Sequence, residues 1–259
     1  MEDDSSVNSD VAVSRSAYRP AREVFDPSIH RVDRMSGDAE ARAFIMEHHY
    51  SGTYPASRFR FSLREGEELV GVAVFSVPVR AEVLRPFTMA NGVELGRLVL
   101  LDRVLANAES WFVARCFREL RREGIAGVIS FADPVRRTTA DGRVVMPGHV
   151  GTVYQGLNAT YTGRAKGRVH RLLPDGTIFS PRAASKIRNG EVGWRYAVDQ
   201  LVAAGAPAPS GDLSAWLPEA LASVSRPLRH GGNHRYVWAL DRRFKSLLPP
   251  SMPYPKTFG

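Results

Sequence analysis

Residues 92–134 read GVELGRLVLLDRVLANAESWFVARCFRELRREGIAGVISFADP, and the fold class follows from this stretch. Val93–Leu101 has the apolar composition of a strand, with Arg97 as its one interior charge. Asn107 then stands where a helix N-cap is expected, and Glu109 suits the positive end of the helix dipole. Phe112, Val113, Cys116, Phe117 and Leu120 recur at helical spacing, with Arg115, Arg118 and Arg122 on another face. Gly124 closes the helix. Ile125–Phe131 is a short apolar run suited to a buried central strand, and Pro134 forbids its continuation. Strand, helix and strand in succession give an α/β layer fold with helices packed on one sheet.

The flanking sequence extends the pattern. Upstream, Ala41, Phe44, Ile45 and His48 mark a helix over Ala39–His49, with Asp38 as its N-cap and a break at Tyr50-Ser51-Gly52. Arg58–Leu63 and Leu69–Val77 form a hairpin around Glu65-Gly66-Glu67. Downstream come a short helix over His149–Leu157 and strands over Thr160–Arg164, Arg168–Leu173 and Thr177–Phe179. Ser180-Pro181 opens a helical stretch with Pro at its first position; it breaks near Asn189-Gly190 and resumes over Glu191–Ala204. Asp212–Val224 is a further helix, Tyr236–Leu240 a last strand, and Leu248–Lys256 an extended tail. The expected organisation is a mobile tail at 1–22 and one domain over 23–258, with a basic helical insertion at about 180–230 before the last strand. No Gly-x-Gly-x-x-Gly follows a strand and no Gly-Lys-Ser/Thr phosphate loop is present, which argues against a doubly wound nucleotide-binding fold.

Composition narrows the partners. The 259 residues hold 35 Lys and Arg against 27 Asp and Glu, a net +8, with a pI near 10.0. Such a balance favours an anionic partner, most simply nucleic acid. No apolar run approaches the roughly 18 residues of a membrane-spanning helix, and the opening MEDDSSVNSD is too acidic and polar for a secretory signal. Cys116 is the single cysteine, so no internal disulfide or Cys-rich zinc module exists. A reducing, cytoplasmic setting is expected.

Several residues stand out as chemistry. His48-His49-Tyr50 closes the first helix. It reads either as a helix end whose His favours the dipole or as a functional cluster. Neighbouring histidines point to different faces, so the two cannot easily share one metal. Arg97 must reach a cleft, a carboxylate or an anionic ligand, because unpaired burial is costly. Its planar fork suits a phosphate or carboxylate better than Lys would. The alternative is an edge-strand Arg paired with Glu94 or a neighbour. Asp133, in Ser130-Phe131-Ala132-Asp133-Pro134, lies where ligands gather at strand C-termini and is placed to act as a base or to orient a donor, although Asp-Pro is also a common turn former. Tyr154 and Tyr161 offer phenols for proton donation or stacking, with core packing favoured for Tyr161. In the C-terminal half, Arg164, Lys166, Arg168, His170, Arg182, Lys186, Arg188 and Arg195 are interleaved with Trp194 and Tyr196. That mixture favours phosphate contact with aromatic stacking over a plain solvated face. Lys166, Arg168 and His170 alternate and are expected on one strand face.

Taken in order, EHHYSG, ELGRLVLL, ESWFVARCFREL, VISFADP, GTVYQGLNATYTGR and GGNHRYVWALDRRFK followed by PYPK resemble the Mom family of phage DNA-modification proteins. That family is similar in fold to the GNAT acyltransferases. The resemblance runs from about residue 24 to 257. It implies a GNAT-like mixed central sheet flanked by helices, and transfer of a carbamoylmethyl (acetamido-like) group to adenine N6, shielding phage DNA from restriction. The functional positions it implies are His49, Tyr50, Arg97, Ser130, Asp133 and Tyr154. The implied partner is double-stranded DNA, with the target adenine flipped out. The implied donor is acetyl-CoA or another activated two-carbon or glycine-derived compound, with metal assistance through His49 left open. GNAT enzymes hold the acyl-CoA pyrophosphate with a Gly-rich turn before the helix that follows the central strand. Here that segment, Asp102–Ser110, has no glycine. The competing class is a non-catalytic DNA-binding protein on an acyltransferase-like scaffold.

Overall fold

The computed structural model describes residues 25–78, 84–87, 90–105 and 107–256. The expected tail at 1–22 lies outside these. In chain order the elements are β1 (His30–Arg34), α1 (Ala39–His48), β2 (Ser57–Glu65), β3 (Glu68–Ser76), β4 (Gly92–Leu100), α2 (Ala108–Arg122), β5 (Gly127–Ala132), β6 (Arg137–Thr138), β7 (Val144–Met146), α3 (Thr152–Gly156), β8 (Thr160–Arg164), β9 (Arg168–Leu172), β10 (Ile178–Phe179), α4 (Pro181–Asn189), α5 (Trp194–Ala203), α6 (Leu213–Val224), β11 (Arg226–His230), β12 (His234–Ala239) and α7 (Arg242–Lys245). They form two compact units. The first holds the chain to Pro134, residues 149–165 and the chain from Asn233; the second holds residues 135–148 and 166–232.

The first unit is built on a seven-stranded sheet in the order β1-β2-β3-β4-β5-β12-β8. Only β4 and β5 run parallel; every other neighbouring pair is antiparallel. This is the mixed α/β sheet flanked by helices that the sequence predicts, with α2 as the crossover that a parallel pair requires. Alternation along β3 serves both layers. Val72 and Val74 pack with Ala41, Phe44 and Ile45 of α1, while Ala73 and Phe75 join the cluster holding Phe112, Val113, Cys116 and Leu120 of α2. The continuous apolar run of β3 is thus a strand buried on both faces. Opposite β3, Val74 faces Arg97 but Phe75 faces Leu95, so Gly96 is the extra residue of a bulge in β4. A Cβ at Gly96 would lie 2.9 Å from Ser76 Oγ. The parallel ladder to β5 covers only Gly92, Val93 and Glu94, and ends just before this bulge.

The second unit contains the three-stranded sheet β10-β9-β11, the β6–β7 pair and helices α4, α5 and α6. Its own core includes Leu173, Phe179, Ile187, Leu201, Trp216 and Leu217. The expected basic insertion at about 180–230 falls in this unit but is not wholly helical, because Arg226–His230 forms β11 and pairs with β9. Backbone hydrogen bonds close both excursions of the chain out of the first unit: His149 N–H donates to Asp133 O and Ala165 N–H to Asn233 O, each at 2.8 Å.

Two expected caps differ. Asp38 makes no capping bond; its Oδ1 instead accepts from Tyr54 Oη at 2.9 Å and Ser57 Oγ at 2.6 Å. Asn107 sits at φ +71° with no side-chain cap, a left-handed backbone incompatible with the usual N-cap geometry. The Ser180 cap is present, its Oγ accepting from Ala183 N–H at 3.0 Å ahead of Pro181. Among the described residues no helix is long and apolar enough to cross a membrane.

Candidate active site

Beyond Glu94 the two parallel strands lose their ladder, and one side-chain bridge replaces it: Ser130 Oγ donates to Leu95 O at 2.9 Å. Ser130 is fully buried. Tyr154, on α3, is hydrogen-bonded to the Ser130 side chain. Its ring packs edge-on to Tyr236 at 5.4 Å and to Trp238 at 5.6 Å. Burial pushes the Tyr154 phenol up to about 12, the bond to Ser130 only partly opposing it, so the group is a protonated donor at neutral pH.

The bulge at Gly96 precedes Arg97, whose fork is heavily used. Its Nε and Nη2 donate to Thr53 O at 2.9 Å and Thr53 Oγ1 at 2.6 Å, and its Nη1 to Gly96 O at 2.6 Å. A guanidinium has five donors, more than these acceptors use. Burial lowers its pKa, and the nearby Tyr50, Glu94 and Tyr154 side chains pull the other way. Thr53 and Tyr50 both come from the turn after α1, where Gly52 takes φ +53°. Tyr50 is 48% exposed.

The structure adds a residue that sequence reasoning misses. His149 follows Gly148 at φ +78°, and its ring lies 6.5 Å from that of Tyr50 and 6.2 Å from that of Tyr154. Burial lowers the His149 pKa, and Asp133 opposes that shift electrostatically. The available signal is a His between glycines, GHVG, which by spacing alone marks only the start of a helix. Of the expected positions, Tyr50, Arg97, Ser130, Asp133 and Tyr154 share this neighbourhood. His49 is tied locally. Its ring stacks on Tyr50 at 4.3 Å, and its Nδ1 accepts the Ser51 N–H at 3.1 Å. Among the described residues no three His, Cys, Asp or Glu side chains converge as a metal site.

Residues 102–110 are where the resemblance implies a glycine-rich pyrophosphate turn. They lack glycine, and Arg103, the cation between Asp102 and Asn107, donates to Glu65 at 2.5 Å and Glu68 at 2.6 Å.

The basic residues divide between the units. Arg164 ends β8 in the first unit and is exposed; Lys166, Arg168, Arg182, Lys186, Arg188 and Arg195 belong to the second. Arg182 pairs with Glu191 at 2.6 Å, Lys186 is half-buried, and Arg195 lies over the Trp194 ring at 4.7 Å. Of the expected single face of Lys166, Arg168 and His170, Lys166 precedes β9, and both Lys166 and Arg168 are exposed. His170 is half-buried, 5.3 Å from the buried His230 ring on the facing strand. Tyr161 is core, as expected, with its Oη 2.7 Å from His234 Nδ1.

Among solved structures the chain is similar to an agmatine N-acetyltransferase (10% identity, 81% of this chain and 99% of that one, TM-score 0.43). It is also similar to the polyamine N-acetyltransferase of Drosophila melanogaster (10%, 81% and 99%, TM-score 0.42) and to an acetyltransferase described from Pyrococcus horikoshii (10%, 86% and 93%, TM-score 0.39). Likenesses this distant say nothing of donor or acceptor. No curated protein matches the chain. The model of the Mom protein family matches residues 30–256, nearly the whole described chain, and the protein therefore belongs to the Mom protein family.

Proposed function

We propose that the protein is a transferase that attaches a carbamoylmethyl-type group to N6 of adenine in double-stranded DNA, which would shield phage DNA from host restriction in the cytoplasm. The observation that carries this reading is the gathering of Tyr50, Arg97, Ser130, Asp133, His149 and Tyr154 around the frayed end of the parallel strand pair. The exocyclic amine is a weak nucleophile because its lone pair is delocalised into the ring. The site therefore has to take its proton and stabilise the charge that develops.

In this reading the N6 lone pair forms a bond to the donor's methylene carbon, and the bond from that carbon to its leaving group breaks, the leaving group taking the pair. His149, kept neutral by burial, accepts the N6 proton. Asp133 stabilises the imidazolium that results. Tyr154, kept protonated by burial, turns its one O–H from Ser130 Oγ toward the departing or developing negative charge. Arg97 takes a carboxylate or phosphate of the donor on the N–H groups that Thr53 and Gly96 leave over. Tyr50, exposed at the rim, stacks on the flipped base, with His49 braced behind it. The donor class favoured is an activated two-carbon or glycine-derived compound over acetyl-CoA, because the sequence 102–110 has no glycine and Arg103 is held by Glu65 and Glu68.

The test is mass spectrometry of nucleosides from DNA co-expressed with the protein. Wild type is expected to yield a modified deoxyadenosine that Asp133→Ala abolishes while the fold and DNA affinity persist. Unmodified DNA from wild-type cells, with tight DNA binding in vitro, would establish the non-catalytic alternative instead.

A further inference from the structure

The turn joining α4 to α5 is braced from several sides. The Glu191 carboxylate accepts from Arg182 at 2.6 Å, Asn189 Nδ2 at 3.1 Å and Ser185 Oγ at 3.4 Å. The Glu191 N–H donates to Lys186 O, and its carbonyl accepts from Trp194 N–H, each at 3.0 Å. Gly190 and Gly193 bend the chain on either side, at φ +61° and +86°. Two exposed apolar side chains stand at this turn, Val192 within it and Tyr196 in the first turn of α5. Val192 is 94% exposed and Tyr196 76%, the two most exposed large hydrophobic residues among those described. The same helix buries Ala197, Val198 and Leu201, so Tyr196 lies off its packed stripe. Arg188 near the end of α4 and Arg195 at the start of α5 are exposed, and the Lys186 ammonium lies against Gly193. Single exposed apolar side chains are ordinary, but one on a braced turn and one on the helix it opens, with cations on both helices, call for a partner that is apolar in its interior and anionic outside.

We propose that this turn is a wedge that enters the base stack of duplex DNA, with Val192 and Tyr196 as the inserted side chains and Arg188 and Arg195 on the flanking phosphates. The proposal rests on the DNA reading above and goes beyond it by naming how the duplex is opened. Stacked bases supply the apolar interior and the phosphates the anionic exterior. Insertion of apolar side chains unstacks a base step and bends the duplex, and the phosphates that the bend brings within reach of the protein offset that cost. Because Glu191 already holds the turn, little ordering entropy is lost on insertion. Chemistry at N6 needs the adenine out of the stack, and a wedge supplies part of that work.

The experiment uses the full chain and mixed-sequence duplex oligonucleotides carrying 2-aminopurine at internal positions, whose fluorescence rises on unstacking. Wild type is expected to raise the signal several-fold at saturation. The double variant Val192→Ser with Tyr196→Ser should bind within about threefold of wild type, because phosphate contacts dominate affinity, and lose the rise. Arg188→Gln with Arg195→Gln should weaken binding but keep the rise per bound complex. A serine variant that keeps the rise overturns the wedge. So does a wild type that binds without any rise, which would turn the apolar pair toward a protein partner. Absence of duplex binding by wild type would overturn the DNA reading together with the wedge. Binding with a full rise but no modified nucleoside would overturn only the chemistry.

Discussion

His149 shows how one half-buried side chain links stability to the proposed chemistry. Its surroundings are Asp133, the Tyr50 and Tyr154 rings and, at longer range, His234. Burial holds its folded-state pKa below the free value of about 6.5, although Asp133 pulls it back. The sign follows from linkage: below pH 6.5 the unfolded chain takes up a proton that the folded one resists. The contribution to stability is therefore whole above about pH 6.5 and is lost progressively as pH falls from there toward the folded pKa. His149→Gln cannot titrate, so its denaturant midpoint should drop less between pH 7.5 and 5 than that of wild type. A tenfold difference in proton affinity between the folded and unfolded chains corresponds to about 1.4 kcal/mol. His234, also lowered by burial, keeps some acid sensitivity in the variant. Equal drops in the two proteins would place His149 outside the titrating set. In the assay for modified deoxyadenosine the same substitution should remove most of the product while leaving DNA binding intact.

Among the elements, α3 is the most demanding. It is only five residues long and carries Tyr154. Gly151 makes the entry to it, with φ +78°, and a Cβ there would lie 2.7 Å from the Tyr236 ring and 2.8 Å from the Tyr154 ring. Gly151→Ala therefore meets both a left-handed backbone and two fixed aromatic rings. It should cost about 1–3 kcal/mol and displace Tyr154, lowering modification with it. Gly156, at the other end of α3, has nothing within 4 Å of a built Cβ and no positive φ, so Gly156→Ala should leave the unfolding midpoint nearly unchanged or raised. If the two substitutions proved equally harmless, Tyr154 would not depend on the shape of this helix. The same contrast explains what is legible in the sequence. The elements β2, β3, β4, α2 and β5 are legible because their apolar periods run over whole strands and turns. Arg97 and Asp133 are legible because a charge in or just after an apolar strand stands out. His149 is not, since its role depends on the excursion between Pro134 and His149 being closed onto Asp133 by a backbone bond. The strand β11 is hidden for a similar reason: RPLRH has no alternation of its own, and β9 supplies its pairing.

For the molecule as a whole, the excess of eight positive charges has to be assigned a use. Several of the basic residues are already committed in the folded chain. Arg103 is held by Glu65 and Glu68, Arg34 by Glu123, and Arg182 by Glu191. Exposed pairs of this kind add little stability, and they subtract from the cations available to a polyanion. On the second unit Lys186, Arg188 and Arg195 remain near one turn, while Arg171 and Arg229 lie on exposed positions of β9 and β11. Each phosphate neutralised on duplex DNA releases roughly 0.9 counterion, so the slope of log affinity against log salt counts the contacts. Replacing Lys186, Arg188 and Arg195 together with Gln should flatten that slope by about two to three units, nearer two if Lys186 stays folded against Gly193. Because phosphates carry no base identity, the loss should be about equal on all duplex sequences. Arg182→Gln tests a different property. It removes a cation already neutralised by Glu191, so the slope should hardly change while the turn loses a brace. Titrations of the two proteins from low to physiological salt would separate the cases. An unchanged slope in the triple variant would mean that this face only covers the Trp194 side of its own core, and the charge excess would then have to act elsewhere on the chain.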